Sequence, residues 1–225
     1  MTAPVGTSQP LLAREGWVHI LIATVLAVAT TLLWGALWSA PLWLIWVFVL
    51  QFFRDPVRQI PDAVGLVCSP ADGKIIALGL SEDPYLRRPA LRMSVFMNVF
   101  SVHSNRAPTA GTVKQRWYHE GNFFNAALDK AALENERNAL HLVTEDGHDV
   151  IFVQIAGLIA RRILCYVEPG ACLYRGQRYG FIRFGSRVDL YLPPGSKPQV
   201  RLGQKVTAGE SVLALLPDQT ESGLV

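Results

Sequence analysis

A long uncharged stretch near the start of the chain dominates its hydrophobic pattern. No residue from Gly16 to Phe53 carries a charge, and the stretch is far longer than the ~20 residues that one membrane-spanning helix needs. It is also too long for the core of a signal peptide and lacks a convincing cleavage site. The pattern therefore predicts a retained membrane anchor over residues 16–53, after an N-terminal tail over residues 1–15.

The anchor divides most naturally into two helical arms. Trp17–Trp34 and Pro41–Phe53 would flank a turn over Gly35–Ala40. Because the second arm is short, a re-entrant hairpin or a single tilted span stays open. Most of the six tryptophans lie in this region, as is typical of residues at a membrane interface. A hydrophobic hairpin buried in a soluble core is the alternative.

The charges that flank the anchor predict its orientation. Arg54 and Arg58 follow it closely, whereas only Arg14 precedes it. Short cytoplasmic segments next to membrane helices are enriched in arginine and lysine. We therefore expect the anchor in the cell (inner) membrane, with the rest of the chain, residues 54–225, on the cytoplasmic side.

Beyond the anchor, hydrophobic and polar residues alternate with a period of two. Over residues 91–103 this alternation predicts a strand, which would place His103 on the apolar, inward face if it stays regular. Residues 140–155 predict a hairpin with Asp146 and Gly147 in its turn. Residues 200–217 predict two short strands joined by turns that contain glycine.

Helical patterns are scarce in this part of the chain. Residues 125–138 contain good helix formers and predict one small helix. Since no long helices alternate with the strands, the pattern argues against a parallel doubly wound sheet. We expect a mainly β domain, antiparallel and barrel- or sandwich-like, with one or two small helices.

The composition narrows the range of partners. The net charge is +3 and only 17% of the residues are charged, and no nucleic-acid-binding motif is present. The three cysteines have no spacing that suits a metal ion. The sequence therefore indicates no nucleic-acid partner and no metal.

Three short motifs contain the candidate catalytic residues. Asp72 lies in SPADG, His103 in NVFSVHSNRAP and Ser186 in FGSRVDLYLP. Taken singly, each has a plain structural explanation as a turn residue or a core histidine. Together they form the aspartate, histidine and serine set in which an oriented imidazole activates a hydroxyl.

These motifs carry a family resemblance. The stretches VCSPADGKI, NVFSVHSNRAP, GLIARRI and RFGSRVDLYLP, spread over about residues 54–217, resemble the phosphatidylserine decarboxylase proenzymes in their short membrane-anchored (archaeal-type) form. The resemblance implies autocatalytic serinolysis between Gly185 and Ser186. The products would be a β chain (1–185) and an α chain (186–225) that stay together as a heterodimer, with a higher oligomer left open.

The resemblance also implies the cofactor and the reaction. Ser186 would become a covalent pyruvoyl group, with His103 and Asp72 completing the catalytic triad. A pyruvoyl ketone can condense with a substrate amine and accept the electrons released when a carboxylate leaves as CO₂. The implied reaction converts phosphatidylserine in the membrane to phosphatidylethanolamine. Another aminoacyl-type phospholipid stays open as the substrate.

The chain departs from larger bacterial family members at two places. They have Leu-Gly-Ser-Thr where this chain has Phe184 to Arg187, and a second histidine where this chain has Phe100. The donor of the proton that replaces CO₂ therefore stays open among His103 acting again, His119 and water.

Four further residues are candidates for substrate binding. Arg161 and Arg162 could hold a lipid phosphate through bidentate hydrogen bonds, or form a solvated surface pair. Asn135 and Arg137 could orient a loop beside the site or bind the headgroup, or belong to a helix C-terminal cap.

A non-enzymatic alternative comes from the end of the chain. Residues 200–217 resemble the strand-turn-strand of lipoyl and biotinyl carrier domains, although the Met-Lys-Met context of the modified lysine does not occur. The alternative function is a non-catalytic membrane-tethered β-barrel adaptor.

Overall fold

The computed structural model describes residues 10–128, 134–157, 162–183 and 185–217. This part of the chain divides into two compact units. Residues up to 57 form a helical unit together with residues 100–102, and residues 58–99 and those from 103 onward form a β unit.

The helical unit is a hairpin of two apolar helices. A 3-10 turn, Arg14–Gly16, leads into helix α1, Trp17–Trp34, and helix α2 follows as Ala36–Phe52. Gly35 alone forms the connection, with a φ of 83° that favours glycine. The predicted turn over Gly35–Ala40 was therefore too long. Helix α2 already begins at Ala36, so Pro41 lies inside it and not at its start.

Tryptophan–threonine hydrogen bonds join the two helices. Trp43 Nε1 donates to Thr31 Oγ1 at 3.1 Å, and Trp46 Nε1 donates to Thr24 Oγ1 at 2.7 Å. Such bonds pair polar groups that would otherwise be costly to place in a bilayer. Within the described residues, one helix is long and apolar enough to cross a membrane: α1 with its preceding turn, at 21 residues and a mean hydropathy of 2.0. The apolar α2 is shorter.

Residues 100–102 belong to this helical unit. The carbonyl oxygen of Phe100 accepts hydrogen bonds from Gln51 Nε2 at 3.0 Å and Arg54 Nη2 at 2.9 Å. The Phe100 ring packs edge-on against Phe48, with 6.3 Å between the ring centroids. Phe100 is thus held in the helical unit through both its backbone and its ring.

The β unit is antiparallel throughout its described ladders. Its longest sheet has the strand order β13-β2-β3-β11-β7-β6-β5-β9, and two three-stranded sheets have the orders β1-β14-β12 and β4-β10-β8. This confirms the mainly antiparallel β fold. The strands are β1 Leu66–Cys68, β2 Gly73–Asp83, β3 Arg88–Met97, β4 Ser104–Arg106, β5 Gly111–His119, β6 Arg137–Val143, β7 Asp149–Ile155, β8 Ile163–Cys165, β9 Cys172–Leu173, β10 Arg178–Ile182, β11 Ser186–Leu192, β12 Lys197–Pro198, β13 Lys205–Val206 and β14 Val212–Leu215.

Strand β11 lies in the middle of the eight-stranded sheet and is buried at every position. Because side chains alternate across a strand, Val188 and Leu190 point into the main core. Arg187 and Asp189 point to the opposite face, where they form an ion pair at 2.8 Å with each side chain 1% exposed. A charge pair buried this deeply is costly to break by removing one partner.

Two predicted elements can be compared directly with the structure. The hairpin over residues 140–155 is confirmed, since β6 pairs with β7 and Gly147 has a φ of 79° in the turn. The helix over residues 125–138 is wrong at both of its described ends, because residues 126–128 lie in a turn, while Arg137 and Asn138 begin β6 and pair with β7. Residues 129–133 of that prediction lie outside the described residues. Good helix formers did not decide the structure where strand pairing was available.

Candidate active site

The pairing of four strands brings the regions of His103 and Ser186 together. Strand β3 pairs with β11 so that Met97 lies opposite Ser186, and β4 pairs with β10. At the near end of the second pair, the backbone N–H of Ile182 donates to the carbonyl oxygen of His103 at 3.2 Å. His103 and Ser186 thus border the same interruption between two antiparallel strand pairs. Both residues are completely buried.

His103 is buried for a different structural reason from the one that the alternation of residues 91–103 predicted. Strand β3 ends at Met97, so the regular strand expected over residues 91–103 stops before the histidine. His103 directly precedes β4, and its ring lies 6.3 Å from the ring of Phe181 on β10. Its burial therefore comes from the β4–β10 pairing and not from a continued β3.

The hydroxyl group of Ser186 points into the core from the first position of β11. Ser186 Oγ donates to Met97 Sδ at 3.3 Å. A thioether sulfur is a weak acceptor, so this contact orients the hydroxyl without holding it strongly. Gly185 precedes it with a φ of 57°, a left-handed conformation that favours glycine. The peptide bond between them therefore lies at a sharp backbone turn with a buried hydroxyl group beside it.

A chain of buried amide side chains continues from this contact. Asn105 Nδ2 donates to Met97 Sδ at 3.8 Å, and Gln154 Nε2 donates to Asn105 Oδ1 at 2.8 Å. Asn138 Nδ2 in turn donates to Gln154 Oε1 at 3.0 Å. Because buried polar groups in low dielectric are costly unless paired, this network holds its members in one arrangement. It fixes Met97, the neighbour of the Ser186 hydroxyl.

Asp72 makes a close ion pair that the sequence did not reveal. Both of its carboxylate oxygens accept from Arg58 Nη2 at 3.0 Å, and Oδ1 also accepts from the backbone N–H of Ala208 at 2.7 Å. The side chains of Arg58 and Asp72 are 7% and 18% exposed. These are the hydrogen bonds that the described residues give to Asp72, and none of them comes from His103.

The turn that contains Asp72 is nevertheless attached to the strand that follows His103. The backbone N–H of Arg106, at the end of β4, donates to the carbonyl oxygen of Pro70 at 2.9 Å. The structure therefore joins the two elements that carry Asp72 and His103. Within them, the carboxylate is engaged with Arg58, whose charge the sequence pattern linked only to membrane orientation.

Arg137 and His119 lie on the other face of the eight-stranded sheet. They are paired neighbours on β6 and β5 and line a pocket with Tyr85, Trp117 and Tyr191. Burial, with the positive charge of Arg137, lowers the pKa of His119. Since Ser186 points to the main core, the structure does not bring Arg137 or His119 together with it.

Asn135 is buried beside the segment that follows β7. Its amide donates to the carbonyl oxygens of Phe124 at 2.8 Å and Ala156 at 2.7 Å, and its Oδ1 accepts from the Phe124 N–H at 2.9 Å. Asn135 thus joins two backbone segments. Arg162 is exposed just before β8, while Arg161 lies outside the described residues.

Comparisons with known proteins identify a family model and several relatives that this chain resembles. A family model described as phosphatidylserine decarboxylase matches residues 45–214. The chain is 62% identical over 209 residues to a phosphatidylserine decarboxylase proenzyme of Aromatoleum aromaticum, covering 93% of this chain and 97% of that protein. Proteins of the same name from Nitrosomonas europaea (59% over 206 residues, 92% of this chain and 95% of the relative) and Burkholderia pseudomallei (57% over 211 residues, 94% and 98%) are similar over nearly their whole lengths.

Proposed function

The chain belongs to the phosphatidylserine decarboxylase family, and we propose that it converts phosphatidylserine to phosphatidylethanolamine and CO₂ after cutting itself between Gly185 and Ser186. The observation that carries this proposal is the environment of the Ser186 hydroxyl group. Ser186 is completely buried, its hydroxyl group donates only a weak hydrogen bond to the Met97 thioether, and the residue before it, Gly185, has a left-handed backbone conformation.

The proposed cleavage begins with proton transfer from the Ser186 hydroxyl to His103. Ser186 Oγ attacks the carbonyl carbon of Gly185, the bond from that carbon to the Ser186 nitrogen breaks, and the nitrogen takes up a proton, leaving an ester. Loss of the Ser186 Cα proton then breaks the Cβ–Oγ bond and releases Gly185 as a carboxylate. Water replaces the nitrogen, which leaves as ammonia, and residue 186 becomes a pyruvoyl group.

The surroundings of Ser186 suit such a group. The side chain lies among buried apolar residues beside Met97, where an uncharged ketone costs less than a charged group. The pyruvoyl ketone supplies an acceptor for the substrate amine and for the electrons released with CO₂. Strand β11 stays paired between β3 and β7 after the cut, which would hold the chains 1–185 and 186–225 together as a heterodimer.

His103 is the residue that we assign to proton transfer in both reactions. It borders the same interruption as Ser186 and is shielded from water. His119 lies on the opposite face of the sheet, which supports His103 over His119 as the donor of the proton that replaces CO₂.

The helical hairpin would hold this chemistry at the membrane surface. The length and hydropathy of α1 support an anchor, and Arg54 and Arg58 after the hairpin support a cytoplasmic β unit by the positive-inside bias. Arg162 is exposed and stays a candidate for the lipid phosphate, together with Arg161. Roles for Asn135 and Arg137 in binding the headgroup stay predictions.

The adaptor alternative loses its basis. Strands β13 and β14 from residues 200–217 do not pair with each other, since β13 pairs with β2 while β14 pairs with β1 and β12. The strand-turn-strand that would form a separate carrier-like hairpin is thus divided between two sheets. The relatives at 57–62% identity are named as enzymes.

Intact-mass measurement of the purified full chain tests the proposed maturation. We expect two polypeptides, residues 1–185 and residues 186–225, the second beginning with a pyruvoyl group in place of Ser186. We also expect release of CO₂ from vesicles that contain phosphatidylserine. An active preparation made of one uninterrupted chain with an intact serine would contradict the proposal. Vesicles with other aminoacyl phospholipids test the choice of substrate.

Changing Asp72 to Asn is expected to slow self-cleavage by about 10-fold or more, because a neutral amide stabilises an imidazolium less than a carboxylate does. The time course of precursor loss after cell-free synthesis measures the effect. Arg58→Gln is the matched control, since it breaks the same ion pair and keeps the carboxylate. Equal rates for the two variants, at equal melting temperatures, would show that Asp72 acts only through Arg58.

A further inference from the structure

We propose that Gly157 is a positioning residue for self-cleavage, because its missing side chain leaves the space that the carbonyl oxygen of Gly185 occupies. This inference rests on the proposed cut between Gly185 and Ser186. That oxygen belongs to the peptide bond that is attacked. The space beside it therefore determines how the carbonyl group is oriented relative to the Ser186 hydroxyl group.

The local geometry is specific. A Cβ atom built on Gly157 would lie far closer to the Gly185 oxygen than the 3.0 Å that real Cβ atoms essentially never cross, and 2.8 Å from the Gly185 carbonyl carbon. The same Cβ would lie 3.3 Å from the Cβ of Ala126. The first two neighbours are backbone atoms, which cannot rotate away as a flexible side chain does.

Strand register explains why these two glycines meet. Strands β7 and β11 are antiparallel, and their last described pair is Ile155 opposite Arg187. Continuing this register by two residues places Gly157 opposite Gly185. The two glycines therefore form a facing pair just beyond the end of the ladder, where β11 has not yet begun.

Gly157 cannot easily move away from Gly185, because the backbone N–H and the carbonyl oxygen of the preceding residue, Ala156, are both hydrogen-bonded. The backbone N–H of Ala156 donates to the carbonyl oxygen of Glu136 at 2.9 Å. The carbonyl oxygen of Ala156 accepts from Asn135 Nδ2 at 2.7 Å. The role that the structure supports for Asn135 is thus to hold the segment against which Gly185 lies.

Gly185 is held from its other side as well. Ser186 is paired with Met97, and the Arg187 guanidinium donates to the carbonyl oxygens of Ala126 and Leu128 at 3.0 and 3.1 Å. A methyl group at position 157 would therefore have to move the Gly185 carbonyl group itself. Rotating that carbonyl turns its carbon away from the Ser186 hydroxyl, and attack requires the two atoms to stay aligned.

The contact also matters during the reaction. When Ser186 Oγ adds to the carbonyl carbon of Gly185, the carbonyl oxygen of Gly185 gains negative charge. An atom that lies too close to this oxygen would raise the energy of the intermediate. The Gly157 Cα can approach as closely as a weak Cα–H···O contact allows. Any larger residue would replace that approach with repulsion.

Gly157→Ala is the direct test. We expect the precursor made by cell-free synthesis to be cleaved at least about 10-fold more slowly than the wild-type chain, as misplacing reacting groups by a fraction of their separation has large effects on rate. Gly111→Ala is the matched control. Its Cβ would likewise meet a backbone carbonyl group, that of Val143, well inside 3.0 Å of the oxygen and 2.9 Å from the carbon, yet that peptide bond is not cut. We expect it to lower the melting temperature while cleavage stays within about 3-fold of wild type.

A stability measurement separates positioning from folding. In a Ser186→Ala background, which cannot be cleaved, Gly157→Ala is expected to keep a cooperative melting transition, as Gly111→Ala does. Adding Ala126→Gly to Gly157→Ala should not recover cleavage, because the methyl group still meets the Gly185 oxygen. Recovery of cleavage would make Gly157 a packing residue only, as would loss of the folded state in every Gly157→Ala background.

The outcomes distinguish this inference from the proposed function. If the wild-type chain stays intact, the proposed cut is wrong and the role of Gly157 falls with it. If the wild-type chain is cut and Gly157→Ala is cut at the same rate, the proposed cut stands and only the role of Gly157 is overturned.

Discussion

Replacing Ser186 with Ala is expected to leave a full-length chain without decarboxylase activity. The variant lacks the only atom of residue 186 that can attack the Gly185 carbonyl, and without that attack residue 186 cannot become a pyruvoyl group. Intact mass should show residues 1–225 as one polypeptide, and CO₂ release from phosphatidylserine vesicles should fall to background. The loss of a weak hydrogen bond to Met97 should change stability little.

Ser94→Ala is the matched control for this variant. Ser94 is also a completely buried serine, and it lies on β3, the strand that pairs with β11. We expect it to be cleaved and active like the wild-type chain. Decarboxylation by an uncut Ser186→Ala chain would contradict the proposed cofactor, since its atoms would have to come from elsewhere.

Changing His103 to Gln is expected to slow self-cleavage by roughly 100-fold or more, the range by which a positioned general base accelerates a reaction. Glutamine keeps a polar side chain of similar reach but cannot take the proton from the Ser186 hydroxyl. The rate of precursor loss, followed by mass spectrometry after cell-free synthesis, measures the effect. Melting in the Ser186→Ala background shows how much of it comes from repacking a buried site.

His119→Gln is the control that also tests the second role of His103. His119 lines the pocket with Arg137 on the outer face of the sheet, so we expect normal cleavage and normal decarboxylation. Loss of decarboxylation with normal cleavage would move the proton donor from His103 to His119. Normal cleavage of His103→Gln would remove His103 from the cutting step.

Local patterns in the sequence were reliable where a single element decides the outcome. The helix over Trp17–Trp34 and the hairpin turned by Gly147 follow from hydrophobic length and turn chemistry. The helix predicted over residues 125–138 was wrong at Arg137 and Asn138, because pairing with β7 outweighs a small difference in helix propensity. The start of α2 was misplaced because Pro41 is accepted within the helix.

The candidate site shows the same division. Asp72, His103, Gly185 and Ser186 lie in motifs that can be read along the chain, and their residue types suggest the chemistry. Which of these side chains contact each other depends on how strands from distant segments of the chain pair. The ion pair of Asp72 with Arg58 could not be read from residues that the sequence separates by a strand and a turn.

The sequence by itself determined that this chain has a long apolar segment suited to one or two helices, a mainly antiparallel β unit and a Gly-Ser step in a recognisable setting, since each depends on residues close together along the chain. Only the tertiary structure decided that Met97 orients the Ser186 hydroxyl and that Gly157 faces Gly185. The physical reason is that register between β3, β7 and β11 brings together residues far apart in the chain, and no local pattern encodes which atoms then come into contact.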